Sequence, residues 1–294
     1  MGARAIVLAA GLGTRLRPLT DERPKPLVPI GDRTVLGHIA VRLLRDGIRS
    51  VVVNTHHLGD VFESHLADLG LELHRVHEPV IRGTAGGVAG ARALFEGAPI
   101  VAWNGDVLAD PDLPALRRAA GRGLAFAVAP RGAGEGTVGL DVTGRVVRLR
   151  GETFGVEASG GDYLGIAAVG EGTLATLPDT GCLVGDVALP LLRSGADLPT
   201  VVVPGPWTDI GTVATYHAEN LRWLGEREAP GRSWVHPTAS IAPAVTLRGS
   251  LLGAGVVVTG AGVVERVVAW PGARVVAPIA SAIVTTRGTV VSVA

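Results

Sequence analysis

Through about residue 130 the chain alternates short apolar runs with segments whose apolar residues recur at helical spacing, and the runs close on glycine or polar turns. "RAIVLAA" (4–10) runs into glycines. "TVLGHIAVRLLRDGI" (34–48) has helical spacing and stops at Gly47. "SVVVNTHH" is a further apolar run, "DVFESHLADLG" a further amphipathic helix, and "LELHRVHE", "TAGGVAGARALF" and "PIVAWNGDVL" continue strand, helix, strand. Runs that are apolar throughout belong to strands covered on both faces. The alternation therefore predicts an α/β fold, a doubly wound and mostly parallel sheet with helices on both sides. In such sheets ligands bind at the carboxyl ends of strands, and the turns "GLGTR" and "NGD" both fall there.

From 131 to about 170 the pattern changes to hairpins, with "TG" between β runs in "GTVGLDVTGRVVRLRG". A helix over 213–224 then leads to the polar "GEREAPGR" (225–232), which reads as a linker. Beyond it Val235, Ile241 and Leu247 are six residues apart, as are Leu252, Val258 and Val264, with small residues filling the gaps. An aliphatic every six residues predicts the hexapeptide coils of a short left-handed β-helix. The expected division is 1–230, carrying the chemistry, and 231–294, the β-helix, through which copies of the chain would associate.

Formal net charge is zero, against an electrostatic nucleic-acid binder, and 47% of residues are hydrophobic, against a disordered chain. No stretch approaches the ~20 apolar residues of a membrane span. The N-terminal apolar run is too short for a secretory signal. The single cysteine, Cys182, forms no internal disulfide and reads as a small buried apolar residue in a reducing compartment. These features predict a cytoplasmic protein.

The chain has one lysine, Lys25, between two prolines, while every other basic side chain apart from histidine is arginine. It closely follows the glycine loop "AAGLGTRLRP" (9–18), where backbone N–H groups after a strand can cradle phosphate. Leu16 replaces the third glycine of a dinucleotide fingerprint, and no P-loop string is present. Lysine gives a compact charge on a slim stem where arginine gives a wide fork, so a narrow phosphate pocket favours it. Pro24 and Pro26 should hold its backbone extended.

"LAAGLGTRLRPLTDERPKPLVPIGDRTVLGHIAVRLLRDGI" resembles the signature segment of the sugar-1-phosphate nucleotidylyltransferases. "RGTAGGVAGA" (82–91), "NGD" (104–106), "WTDIGT" (207–212) and a hexapeptide-like tail follow in that family's order. The resemblance is to mannose-1-phosphate guanylyltransferase and N-acetylmuramate-1-phosphate uridylyltransferase types. It implies a nucleoside triphosphate and a sugar-1-phosphate as partners, with Mg2+ as cofactor and Asp106 and Asp209 as its ligands. By resemblance Arg15 and Lys25 are the catalytic cations, Arg15 on the leaving pyrophosphate and Lys25 on the α-phosphate. Leu8, Ala10, Gly11, Gly13, Thr14, Gly83, Thr84 and Asn104 would bind the nucleotide. Glu78 stands where some relatives place a base-reading glutamine; a carboxylate there would suit guanine or uracil, and a solvated loop position is the alternative. His56 and His57 are adjacent in a strand-like run, point to opposite faces, and read as structural rather than metal-binding.

The resemblance breaks in the sugar half. Many members carry "EKP" where this chain reads "RLRGETFGVEASGGDYLGI", leaving Arg150 or Glu152 as loose substitutes. Gly136, Tyr163 and Gly165 remain the sugar-pocket candidates by position. The sugar is left open, with GTP and mannose-1-phosphate or a similar hexose or heptose phosphate as the first expectation. A UTP-dependent enzyme and a non-catalytic regulatory subunit are the alternatives; retention of Arg15, Lys25, Asp106 and Asp209 favours an enzyme.

Overall fold

A computed structural model describes residues 4–66, 69–95 and 99–293. The chain forms two compact units, and neither is continuous in sequence. One comprises Met1–Leu12 and His38–Trp207, the other Gly13–Gly37 and Thr208–Ala294.

The first unit is built on a mixed ten-stranded sheet. Its centre is parallel: Ala5–Leu8 lies between Ser50–Thr55 and Ile100–Asn104, and Glu72–His77 extends it beyond Ser50–Thr55. The three central strands are almost entirely apolar, and Ile6, Val52, Val101 and Trp103 are buried on opposite faces of the sheet. The other half is antiparallel. Ser159–Val169 pairs with Ile100–Asn104, with Leu124–Arg131 and with Val138–Leu140. The expected hairpins over 131–170 are these strands, continued by Val146–Leu149 and Glu152–Thr153. Cys182 is only half-buried, not the enclosed apolar residue expected; it precedes the turn Leu183–Ala188 and its Sγ lies 3.7 Å from Arg150.

The second unit joins an early segment to the end of the chain. Helix Val213–Gly225 opens with a reciprocal cap in which the side chains of Thr212 and Thr215 each take up the other's backbone N–H. Tyr216 on this helix is fully buried; its hydroxyl donates to Pro29 O at 2.7 Å and accepts from Trp270 Nε1 at 2.8 Å. Asn220 Oδ1 accepts from Gly31 N at 2.9 Å. Glu22 is buried and accepts from the Thr285 hydroxyl, from Arg287 N at 3.2 Å and from Thr289 Oγ1 at 3.2 Å. These long-range bonds explain why the compact units do not follow a cut at 230/231. Glu22, Pro29 and Gly31 of residues 13–37 find their partners on the C-terminal part.

The tail forms a seven-stranded, mostly parallel sheet. Trp234 pairs with Leu251, Ser240 with Val257, Val245 with Gly262 and Leu251 with Val268, always seventeen positions on. Leu252, Val258, Val264 and Val275 form its buried core. The final pairing, Arg274–Val284 with Val290–Ser292, is antiparallel. Among the described residues no helix is long and apolar enough to cross a membrane.

Candidate active site

In the first unit the site grows from the ends of parallel strands. Leu8 is in register with Asn54 on one side and Asn104 on the other, so three strands present their carboxyl ends together. The chain then turns through Ala9, Ala10 and Gly11, and Gly11 is exposed. Asn54, 2% exposed, fixes this turn: its Oδ1 accepts from Ala9 N at 2.7 Å, and its Nδ2 donates to Glu78 Oε1 at 2.8 Å. Glu78 Oε2 accepts from Arg82 N at 3.0 Å. A Cβ on Gly87 would lie 2.6 Å from Asn54 Nδ2 and 3.1 Å from Leu8 Cδ2, so only glycine lets helix Gly83–Gly90 settle on these strand ends.

Glu78 is therefore not a solvated loop residue. It is 2% exposed, with one oxygen on Asn54 and the other on the backbone that enters the helix. Both oxygens brace the strand ends, which does not favour reading a base. Nothing in the sequence marked Asn54, the centre of this network, beyond its place at a strand end. Gly83 is exposed at the start of the helix, while Thr84 is half-buried and its Oγ1 accepts from Leu183 N at 2.8 Å. His56 Nδ1 lies 2.8 Å from Glu78 O and its ring stacks on His77, in keeping with a structural role.

Asn104 and Gly165 come together. Gly165 has φ +71°, and a Cβ there would lie 2.4 Å from Asn104 Nδ2. Among the described residues the Asn104 side-chain amide has no hydrogen-bond partner, leaving its donor and acceptor at the end of the strand available to a ligand. Asp106 follows in the half-exposed turn after this strand. Gly136 bridges to Gly161 on the neighbouring strand. Tyr163 is half-buried: its ring stacks on Phe126 with centroids 4.1 Å apart and packs against the core, and burial pushes its phenol pKa up. Its backbone N–H donates to Thr137 Oγ1 at 2.7 Å. Glu152 is held by Arg193, which keeps its carboxyl below the usual range. Arg150 has φ +50° at its hairpin tip and reaches toward Cys182 and Gly185.

In the second unit the loop continues as a chain of tight 3-10 turns. Gly13, at φ +64°, starts Thr14–Leu16, and its carbonyl accepts from Thr20 Oγ1 at 2.9 Å. A Cβ on Gly13 would lie 2.7 Å from Thr20 Cγ2 and 3.1 Å from Lys25 Cγ, so the lysine stem runs directly over this glycine. Lys25 is half-buried and opens the turn Lys25–Leu27. The prolines act differently from expectation. Pro24 is extended, at φ −55° and ψ 148°, but Lys25 itself is turned, because Pro26 sits early in the turn where no N–H is needed. Arg15 is exposed, and a Cβ on Gly211 would be 3.4 Å from both Arg15 Nη1 and the Asp209 carboxylate oxygens. Arg15, Lys25, Gly13 and Asp209 thus belong to one compact unit although nearly 200 residues separate them. Among the described residues no three or more metal-ligating side chains cluster.

Residues 4–146 match the Nucleotidyl transferase family model. A mannose-1-phosphate guanylyltransferase of Mycobacterium tuberculosis is 39% identical over 115 residues, 38% of this chain and 32% of that protein. An N-acetylmuramate alpha-1-phosphate uridylyltransferase of Neisseria meningitidis is 40% identical over 116 residues, 38% of this chain and 50% of that protein. The chain thus matches a third to a half of the length of these curated relatives. Among solved structures, HddC from Yersinia pseudotuberculosis complexed with GMP-PN superposes with a TM-score of 0.62 at 20% identity, covering 76% of this chain and all of that one. That likeness speaks for the fold. The strand ends, the glycine loop and the basic residues behind it all lie within the matched segment, and over residues 4–146 the chain is similar to the Nucleotidyl transferase family and to the sugar-1-phosphate nucleotidylyltransferases named above.

Proposed function

We propose that this protein transfers a nucleotidyl group from a nucleoside triphosphate to a sugar-1-phosphate, releasing pyrophosphate. The observation that carries this reading is the loop after the first strand, where the Lys25 stem lies over Gly13, with Arg15 two residues further along and near Gly211. A phosphate oxygen of the sugar-1-phosphate forms a bond to the α-phosphorus, and the bond from that phosphorus to the bridging oxygen breaks. The electron pair leaves with pyrophosphate. The nucleophile is already an anion, so the protein's task is to hold two polyanions in line and neutralise developing charge. Lys25 acts on the α-phosphate and Arg15 on the leaving group. The loop Gly11–Thr14 supplies backbone donors, and the Asn104 amide reads the nucleotide.

Magnesium is the proposed cofactor. The family resemblance offers Asp106 and Asp209 as its ligands, and magnesium takes one or two carboxylates together with substrate phosphates. When bound, it would supply Lewis-acid neutralisation of the phosphates. Guanylyl transfer to mannose-1-phosphate or a similar hexose or heptose phosphate is the favoured pair. The Neisseria relative supports uridylyl transfer to N-acetylmuramate-1-phosphate as the second reading. The repeated seventeen-residue offset in the tail supports coils of a β-helix, through which copies would associate.

Pyrophosphate release with magnesium, each of GTP, UTP, dTTP, ATP and CTP, and a panel of sugar-1-phosphates tests the proposal. One productive pair, silenced by Lys25→Met and by Asp106→Ala, is expected. Nucleotide binding without turnover on any pair would instead mark a regulatory subunit.

A further inference from the structure

The second unit holds a cavity of about 790 Å3 beside the end of helix Val213–Gly225. Arg232, Arg248 and Arg266 line it together with Glu228 and Glu265. Among the described residues, none of these three guanidinium groups makes an ion pair or a side-chain hydrogen bond. Arginines elsewhere on the surface commonly do: Arg45 pairs with Asp110, Arg131 with Asp162 and Arg148 with Glu157. Three cations in one hollow repel one another, and their two nearby glutamates do not close on them. A small anion would relieve that repulsion.

The backbone that carries them is fixed. Arg266 stands at φ +52°, a costly conformation for a side chain with a Cβ, and its carbonyl accepts from the buried His217 Nε2 at 2.7 Å. Its stem lies over Gly249. Arg248 is in register with Glu265, immediately before Arg266. The turn bearing Arg232 closes through Arg232 N to Ala229 O, and Gly249 N donates to Gly231 O, both at 3.0 Å. All three side chains thus leave hydrogen-bonded backbone at one opening.

We propose that this cavity binds a small phosphomonoester carrying free hydroxyls, a phosphorylated sugar or polyol. Three guanidiniums and two carboxylates leave a formal +1, which a phosphate monoester, at about −1.5 to −2 near neutral pH, more than offsets. Glu228 and Glu265 accept from hydroxyl donors that inorganic phosphate lacks in that arrangement. The volume falls within the ~300–1,000 Å3 of small-molecule sites. The site lies outside the loop and strand ends assigned to the reaction, so it stands whether or not that assignment does.

Calorimetric titration of the full chain with glucose 6-phosphate, inorganic phosphate and glucose, at constant ionic strength, tests this. Glucose 6-phosphate should bind more tightly than phosphate, and glucose should not bind. Arg232→Ala with Arg248→Ala should weaken glucose 6-phosphate about tenfold or more, from the loss of charge-assisted hydrogen bonds. Arg266→Gly, which removes the charge while easing the backbone, should do the same without lowering the unfolding midpoint. Lys25→Met should leave this binding intact. No binding by the unaltered chain, equal binding by the arginine variants, or loss only with Lys25→Met would overturn the site. Phosphate binding as tightly as glucose 6-phosphate would overturn the polyol assignment.

Discussion

The strand-end network around Asn54 and the basic loop around Gly13 meet in sequence only at residues 9–13 and are opposite in construction. At the strand ends the polar groups are matched inside the protein: Ala9 N on Asn54, Asn54 on Glu78, Glu78 on Arg82 N, all in or near a buried core. In the loop Arg15 is exposed and Lys25 half-buried, resting on glycine and on 3-10 turns. The first region resembles a scaffold, whose alteration should cost stability. The second presents charge outward, and its alteration should cost chemistry.

Lys25→Met is the sharpest break between them. The methionine keeps an apolar stem over Gly13 and removes only the ammonium. Turnover should fall about 10²–10³-fold, as for loss of one preorganised electrostatic contact to a transition state. The unfolding midpoint should barely move. A variant that loses stability in proportion to activity would place Lys25 with the scaffold.

Gly165→Ala tests the scaffold at its close approach to Asn104. The new Cβ would adopt a left-handed backbone and meet Asn104 Nδ2 at 2.4 Å, at a cost of about 2–4 kcal/mol if the side chain gives way only partly. Denaturant unfolding should show this, together with weaker nucleotide binding from a displaced Asn104. Unchanged stability would mean the strand has room that the close approach denies.

The central sheet was legible because continuous apolar runs such as "SVVVNT" have few other stable fates, and glycines marked where they end. Lys25 stands out in the sequence for a compositional reason, a lone lysine in an arginine-rich chain, and its proposed role rests on the experiment above. Other features were not, because they depend on distant partners. Local periodicity could not show that residues 13–37 anchor Pro29 and Gly31 on Tyr216 and Asn220, and so make the compact units discontinuous. Tyr163 reads as a pocket residue from its position in the chain; the structure adds its stacking on Phe126, a partner distant in sequence. The six-residue spacing of the tail was visible, and the structure adds what spacing alone lacks: parallel partners seventeen positions on, shifting to fifteen within the last pair of parallel strands.

Glu78→Gln probes the same scaffold more gently. Either Asn54 Nδ2 or Arg82 N would then face an amide N–H₂ in place of an acceptor, costing about 1–3 kcal/mol for the unsatisfied donor. Activity per folded molecule should hold, and a specific change of base preference at constant stability would return Glu78 to nucleotide reading.

Asp141 breaks the link between satisfaction and burial. It lies in a turn open to solvent, yet its Oδ1 accepts from Arg145 N at 2.9 Å and from Thr143 N and Oγ1 at 2.8 Å each. The Arg145 backbone donor, then the Thr143 hydroxyl, holds its carboxyl below the usual range. A depressed folded pKa stabilises the fold above the ordinary carboxylate range, and that contribution is lost as pH falls through the folded value. Asp141→Asn should therefore lower the unfolding midpoint slightly at neutral pH. The gap should narrow in acid and close once Asp141 is protonated in the folded chain. Exposure and solvent screening keep the effect the smallest of the four. A gap that persists unchanged through the acid range would show that the charge contributes nothing and that the turn rests on its neutral hydrogen bonds alone.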